Sequence, residues 1–496
     1  MKPLKIVAFL LALTLSLTAC AINHPEETTK PQPAAEGQSP VISADPGVIH
    51  IVLSDNGITA DGAPVGTTVS APLYTAHDIV YYESGKDFTY GEGTEDDCHT
   101  TDEAAAHTVL HITAPGTYNI SGQLSMGQIA VDLGDEAEDD PSAVVTLILN
   151  GVDITCTVAP AVIFYNVYEC GSDDADDASK DVDTSSAGAN VIIADGSVNT
   201  INGSYVAKIY EPDSVVLNDR KTKVKDADKL YKYDGAFYSR RSMNIFGGPE
   251  NTGILNICAE NEGLDSELHL TVNGGNIFID SGNDGINTNE DGVSVTTVNG
   301  GNLTIRVNGQ TGEGDGIDSN GWLVINGGTV LAAACSTSAD AGIDSDMGIH
   351  INGGTVIATG HMLDEISESG QNYAILHFST NQTGAETLML KKQSGNPVLE
   401  TAPGNAYSVM IFSSPNLVSG AYTLWRNGDQ LAAASGMMPG RPGMPPGGAD
   451  HPQHAGDKRP PDGNQPFHPG TTPTENQATS PELIIRDGGN QFLVAP

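Results

Sequence analysis

From residue 270 to 360 apolar and polar side chains alternate in short bursts. Leu270 and Val272, Ile277 and Ile279, Leu303 and Ile305, Leu323 and Ile325, Val330 and Ala332, Ile349 and Ile351, and Val356 and Ala358 recur two residues apart, with Thr271, Thr304 and His350 as polar residues between and Phe278, Val324, Leu331 and Ile357 as apolar ones. A period of two marks a strand with one buried face. Between the bursts stands Asn-Gly-Gly, at Asn273, Asn299, Asn326 and Asn352, at separations of 26, 27 and 26 residues. Glycine supplies the positive φ that a sharp corner needs, and Asn tolerates the same region better than most residues. A second motif keeps pace with the first: Glu262-Gly263-Leu264-Asp265, Asp284-Gly285-Ile286-Asn287, Asp315-Gly316-Ile317-Asp318 and Ala341-Gly342-Ile343-Asp344. A more degenerate segment, Asp234-Gly235-Ala236-Phe237, precedes them.

An interval of about 26 residues that carries short strands and no helical stretch predicts an all-β chain folded as a parallel β-helix, each turn stacking its strands on the next. Leucine-rich repeats need a Leu-x-x-Leu-x-Leu frame that is absent, and propeller blades need about 40 residues or more. Right-handed winding is expected, as for parallel crossovers generally. Fainter segments extend the pattern upstream: Gly116–Gly122, Val144–Leu149 before Asn150-Gly151, and Val191–Ile193 before Asn202-Gly203. Between them lie an Asp-rich loop (Asp173 to Asp183) and a Lys-containing segment around 208–233. Beyond Gly360 the register fades, and strands near 406–412 and 420–425 are expected to cap the stack, where a bare edge would invite aggregation.

The ends differ from the body. Lys2 and Lys5 precede the apolar run Ile6–Leu17, too short to span a bilayer, and Leu17-Thr18-Ala19-Cys20 resembles a bacterial lipobox. The expected organisation is therefore a lipoprotein signal peptide at 1–20, a Pro-rich disordered tether at 21–45, a body at 46–435, a Pro/Gly-rich disordered insertion at 436–482 and a final strand within 483–496. Cys20 would carry the lipid and hold the protein on the outer face of the cell membrane as a monomer. The other five cysteines show no Cys-x-x-Cys spacing, which argues against a zinc or thiol-redox site.

Composition then narrows function. With 22 basic and 63 acidic residues the formal charge is −41, the wrong sign for a nucleic-acid partner. Acids recurring about every 26 residues in stacked strands lie about 4.8 Å apart. Asp318 is thereby expected over Asp344, and Asp315 over Asp340. Such carboxylates repel unless they take up protons or share a cation, and Ca²⁺, with six to eight oxygen ligands, fits that demand. The expected metal ligands are Asp265, Asp284, Asn287, Asp315, Asp318, Asp340 and Asp344. For sugar recognition the candidates are Trp322 and Tyr238 as stacking rings and Arg306, outward by strand parity, as a partner for a uronate carboxylate.

Gly-Thr-Tyr-Asn-Ile-Ser-Gly-Gln-Leu at 116–124, Gly127-Gln128-Ile129-Ala130-Val131, the segment 145–154, Ile193-Ala194-Asp195-Gly196 and the tandem Asp-Gly-Ile-Asp motifs together resemble the bacterial carbohydrate-binding β-helix family. The resemblance spans roughly 50–435 and departs at the two insertions and the Pro/Gly-rich stretch. It implies an exported, calcium-loaded protein, similar in fold to pectate lyases, that binds polysaccharide without cleaving it. Pectic or cellulosic glycans are the expected partners. Competing readings are a calcium-dependent lyase with Arg240 or Arg241 as base, an inverting hydrolase, whose Gly-His-Gly segment is broken at Gly360-His361-Met362, and a structural stalk or adhesin.

Overall fold

The computed structural model describes residues 47–435 and 479–495. The signal peptide, the tether, Cys20 and most of the Pro/Gly-rich insertion fall outside them. The described chain is nearly all β. Its one α-helix is a single turn, Thr101–Ala105, closed at its start by a reciprocal capping box between Thr100 and Glu103. Strands gather into a 22-stranded sheet, a seven-stranded sheet and smaller antiparallel pieces, and most pairings within the two large sheets are parallel.

Register explains how the alternating pattern is used. Leu255 faces Ile277, which faces Leu303, then Val330, then Val356, in parallel strands. Val272, Val298, Ile325 and Ile351 form a second such row. All nine are at most 1% exposed. Each segment thus lays its inward residues on the equivalent ones of the next, and one continuous apolar core runs along the stack. At the corners the Asn side chains make their own ladder. Asn299 Nδ2 donates to Asn273 Oδ1 at 2.9 Å, Asn326 to Asn299 at 2.9 Å and Asn352 to Asn326 at 2.8 Å. The second glycine of each Asn-Gly-Gly has positive φ, for example 82° at Gly301 and 75° at Gly328. A Cβ at Gly328 would also lie 2.7 Å from the Gly301 carbonyl oxygen, so no other residue fits there without movement.

The stack changes character at its C-terminal end. Strand Thr355–Gly360 continues the parallel series, but Tyr407–Ser413 pairs with it antiparallel. A separate apolar cluster, with Phe412, Leu424, Tyr422 and Phe492, then closes the edge. Leu483–Ile485 and Gly489–Val494 return to this region, the latter running parallel to Tyr373–Gln382.

The Lys-containing segment is a long antiparallel hairpin arm, Val206–Tyr210 paired with Lys229–Tyr233 and continued by Val216–Leu217 with Val224–Asp226. It leaves the stack after Val198–Gly203 and rejoins it at Gly235–Ser239. Backbone bonds from Glu92 N to Lys208 O and from Tyr210 N to Tyr90 O, each 2.9 Å, pin it to the loop before the helix. The arm thereby overhangs the seven-stranded sheet.

Leu303 sits mid-row and is 1% exposed. Leu303→Ala is expected to lower unfolding free energy by about 2–5 kcal/mol. Val198→Ala, at a side chain 58% exposed, should stay within about 0.5 kcal/mol of wild type. Chemical denaturation of both variants checks the pair.

Candidate functional site

The seven-stranded sheet carries the second motif. Tyr238 pairs with Asp265, Asp265 with Asn287, and Gly235 with Glu262. Ile286 bridges to Ile317, and Gly285 N donates to Asp315 O at 3.0 Å while Gly316 N donates to Ala341 O at 3.1 Å. Two files of side chains result. One runs Glu262, Asp284, Asp315, Ala341; the other runs Asp265, Asn287, Asp318, Asp344. The sequence places these acids at each Gly-Ile or Gly-Leu corner, and the stacking brings them together.

Two tight groups stand out within the files. Oxygen atoms of Asp234, Glu262 and Asp265 lie within 4.8 Å of one another, and so do those of Asp315, Asp318 and Asp344. Backbone N–H groups satisfy part of this charge. Asp284 Oδ1 accepts from Asp315 N at 2.6 Å, and Asp315 Oδ1 from Ala341 N at 2.5 Å. The single ion pair to these carboxylates among the described residues is Lys232 with Asp234. Two acceptors have no partner in the structure, Glu262 Oε2 and Asn287 Oδ1, on side chains 4% and 8% exposed. Buried oxygens left bare in this way cost free energy unless something binds them.

The electrostatics follow. Burial first, then the neighbouring charges of Asp234 and Asp318 respectively, push the carboxyls of Glu262 and Asp315 up to about 8. Burial and Asp344 push Asp318 up to about 7. Asp265 and Asp284 are raised well above the ordinary carboxylate range, by burial and then by Glu262. Oxygen-only donors, several to a group and short of protons at neutral pH only at a cost, are the donor set that suits a hard divalent cation. The convergent groups are Asp234, Glu262 and Asp265 on one side and Asp315, Asp318 and Asp344 on the other, and of the expected ligands Asp284 and Asn287 lie in the files outside both groups.

Three expectations need correction. Asp340 is one residue out of register with the file, because Ala341 occupies the position below Asp315. Its Oδ2 instead accepts from Gly314 N at 2.7 Å and from Ser338. Tyr238 is 2% exposed. The arm covers its ring, Tyr233 lies 4.9 Å away, and its hydroxyl donates to Glu267 Oε1 at 2.8 Å. It offers no stacking face of its own. Arg306 points outward but is held by Asp280, one strand back, with Nε at 3.1 Å from Oδ2. Trp322 is half-buried on its strand, between Val295 and Gly348.

Sequence reasoning left out Asp234, Glu262 and Lys232. Glu262 was within reach, since it opens the same Gly-Leu-Asp motif that places Asp284 and Asp315. Lys232 was not, because it arrives on the arm.

Between the arm and the sheet lies a cleft of about 520 Å³. The rings of Tyr165, Tyr231, Tyr233 and Tyr238 adjoin one another along it, at centroid separations of 4.9 to 5.9 Å. Asp78, Asp132 and Arg240 reach it from strand ends.

Residues 106–186 and 175–387 match the model of a family described as carbohydrate-binding domain-containing protein, and the two stretches take in more than half of the 496 residues. No curated protein matches the chain. A solved structure described as the polysaccharide lyase-like protein from C. thermocellum, a gadolinium derivative, aligns with 65% of this chain and 98% of its own. The identity is 20% and the TM-score 0.34.

A carboxyl held above its unfolded value binds its proton more tightly when folded, so its penalty is absent below the ordinary carboxylate range and grows as pH rises toward the folded value. In chelator, the melting temperature is therefore expected to fall as pH rises from about 5 to about 8, the window set by Glu262, Asp315 and Asp318. Asp318→Asn should flatten that fall. Scanning calorimetry across the range, with and without the substitution, checks both.

Proposed function

The chain belongs to the carbohydrate-binding domain-containing family, and we propose that it is a non-catalytic polysaccharide-binding protein whose glycan-binding body is assisted by Ca²⁺ held on the acidic files. The proposal extends to the parts outside the described residues: export, removal of residues 1–19, and a lipid on Cys20 that keeps the body on the outer face of a bacterial membrane. It extends also to the architecture, in which the stacked segments wind as a right-handed parallel β-helix. Parallel rows of residues about 26 apart support that winding.

One observation carries the calcium reading. Six carboxylates share two short files, and the single ammonium beside them, Lys232, is paired with Asp234, while Glu262 Oε2 and Asn287 Oδ1 are buried without partners among the described residues. Protons satisfy such an array only up to about pH 7 to 8, where Asp318, Glu262 and Asp315 give them up. A divalent cation bridging Asp315, Asp318 and Asp344 removes the repulsion at any pH where the sites are ionised, and rigidifies the sheet on which the glycan face is built. The ion would serve as a structural and charge-bridging element, and the sugar chains within this reading are pectic or cellulosic.

Catalysis has less support. Arg241, a candidate base for a lyase, is engaged by Glu138 with its side chain 10% exposed. Arg240 is exposed in the cleft, and its one side-chain hydrogen bond, 3.4 Å to Asn166 Oδ1, does not orient it as a base.

Retardation in native gels containing polygalacturonate or soluble cellulose derivatives tests the reading. Retardation is expected in calcium and is expected to weaken in chelator and in Asp318→Asn. Incubation with polygalacturonate and calcium should give no rise in the ultraviolet absorbance of unsaturated product. Such a rise would replace binding by a lyase, and absence of retardation on every glycan would leave a structural stalk.

A further inference from the structure

Resting on the carbohydrate-binding reading, we propose that the cleft between the hairpin arm and the seven-stranded sheet is the glycan subsite and that it takes an uncharged hexose chain. At about 520 Å³ it lies within the roughly 300–1,000 Å³ typical of ligand sites. Its floor is the strand-end row of Tyr165, Asn166 and Arg240, and its roof is the arm strand Lys229–Tyr233. The arm is held in place by its backbone bonds to residues 90 and 92, so the roof is part of the fold.

Two partly buried rings, Tyr165 and Tyr231, flank the buried Tyr233. Tyr233 and Tyr238 back them, and Tyr238 is fixed by Glu267, which Lys229 holds at 2.9 Å. A rigid aromatic pair with C–H-facing surface and a wet edge is what stacking on a pyranose face requires. Around the rings, Asp132 is oriented by Asn166 Nδ2 at 2.9 Å, and Asp78 by His111 at 2.8 Å. Both keep further acceptor capacity toward the cleft.

Charge decides the ligand class. The other cations of the lining are already taken, Lys229 by Glu267, Lys232 by Asp234 and Arg241 by Glu138. Arg240 is exposed, makes no ion pair among the described residues, and has one long bond, 3.4 Å to Asn166 Oδ1. Against it stand Asp132, Asp173 and Glu290, none of them in an ion pair among the described residues. Acceptors therefore exceed free donors. A polyuronate would meet net repulsion, whereas a neutral sugar supplies the hydroxyl donors these carboxylates need and leaves one acceptor oxygen for Arg240.

The test is calorimetric titration of the calcium-loaded ectodomain with a neutral gluco-oligosaccharide and with an oligogalacturonate of equal length. The neutral chain is expected to bind, and Tyr165→Ala and Arg240→Ala are each expected to weaken it at least about fivefold. Val198→Ala, at an exposed residue outside the lining, should leave it unchanged. Arg240 is exposed, so its variant reports on the cleft without a burden on folding, and an unaltered melting temperature confirms that. Preference for the oligogalacturonate through Arg240 would overturn the ligand class. Unchanged affinity in both cleft variants, with wild type still binding, would overturn the subsite while the carbohydrate-binding reading stands. Absence of binding to both oligosaccharides, together with absence of retardation on every polysaccharide, would overturn both.

Discussion

Like residues are forced onto like residues when equivalent strands stack in parallel at about 4.8 Å, and everything distinctive in this molecule follows from what each residue type does under that constraint. Apolar side chains gain from it. The Leu255 to Val356 row is a core that lengthens with every segment added, each residue meeting the same contacts above and below. Asparagine gains as well, because one amide offers both a donor and an acceptor. The Asn273 to Asn352 ladder satisfies each side chain by the next at 2.8 to 2.9 Å. Carboxylates alone lose. An ionised acid accepts and never donates, so a file of them carries repulsion and unmet acceptors together.

That asymmetry gives the two kinds of file different roles. The asparagine ladder pairs each amide with the next and reads as a structural spine. The acidic files are open. Backbone N–H groups reach Asp284 and Asp315, and Lys232 reaches Asp234, yet Glu262 Oε2 and Asn287 Oδ1 stay bare. A fold under pressure for stability alone would replace such acids by hydrophobes or amides of similar size. Their recurrence at the corners of successive segments leaves acceptors that a proton or a cation would satisfy, and the raised carboxyls of Glu262, Asp315 and Asp318 are the same fact expressed as proton affinity.

How much of this the chain disclosed beforehand depended on whether the interaction was local to the period. The alternating strands, the Asn-Gly-Gly corners and the pairing of Asp318 with Asp344 all follow from spacing. Asp340 failed because the segment from 315 to 341 closes with Ala341 at the file position, and a register error of one residue moves a side chain off its file. Arg306 was read correctly as outward, but strand parity says nothing about the neighbour one strand back, and Asp280 waits there. Tyr238 was misjudged because its covering comes from the arm, which interrupts the period and folds back over the sheet. The cleft was invisible for the same reason, since its floor comes from the periodic part and its roof from the insertion.

The arm also makes the two acidic groups inequivalent toward any cation. At Asp234, Glu262 and Asp265 an ammonium is already present, so an incoming ion must either displace Lys232 or share the site with it against its charge. Asp315, Asp318 and Asp344 carry no such competitor among the described residues. Lys232 is flanked in sequence by Tyr231 and Tyr233, whose rings form the cleft roof. Lys232 lines the cleft beside them, so the residue that pairs with Asp234 and the rings of the cleft are fixed by one piece of backbone. Residues 229 to 233 thus both supply a charge to the sheet and line the space above it, because an insertion is laid over a periodic surface whose acids it partly neutralises.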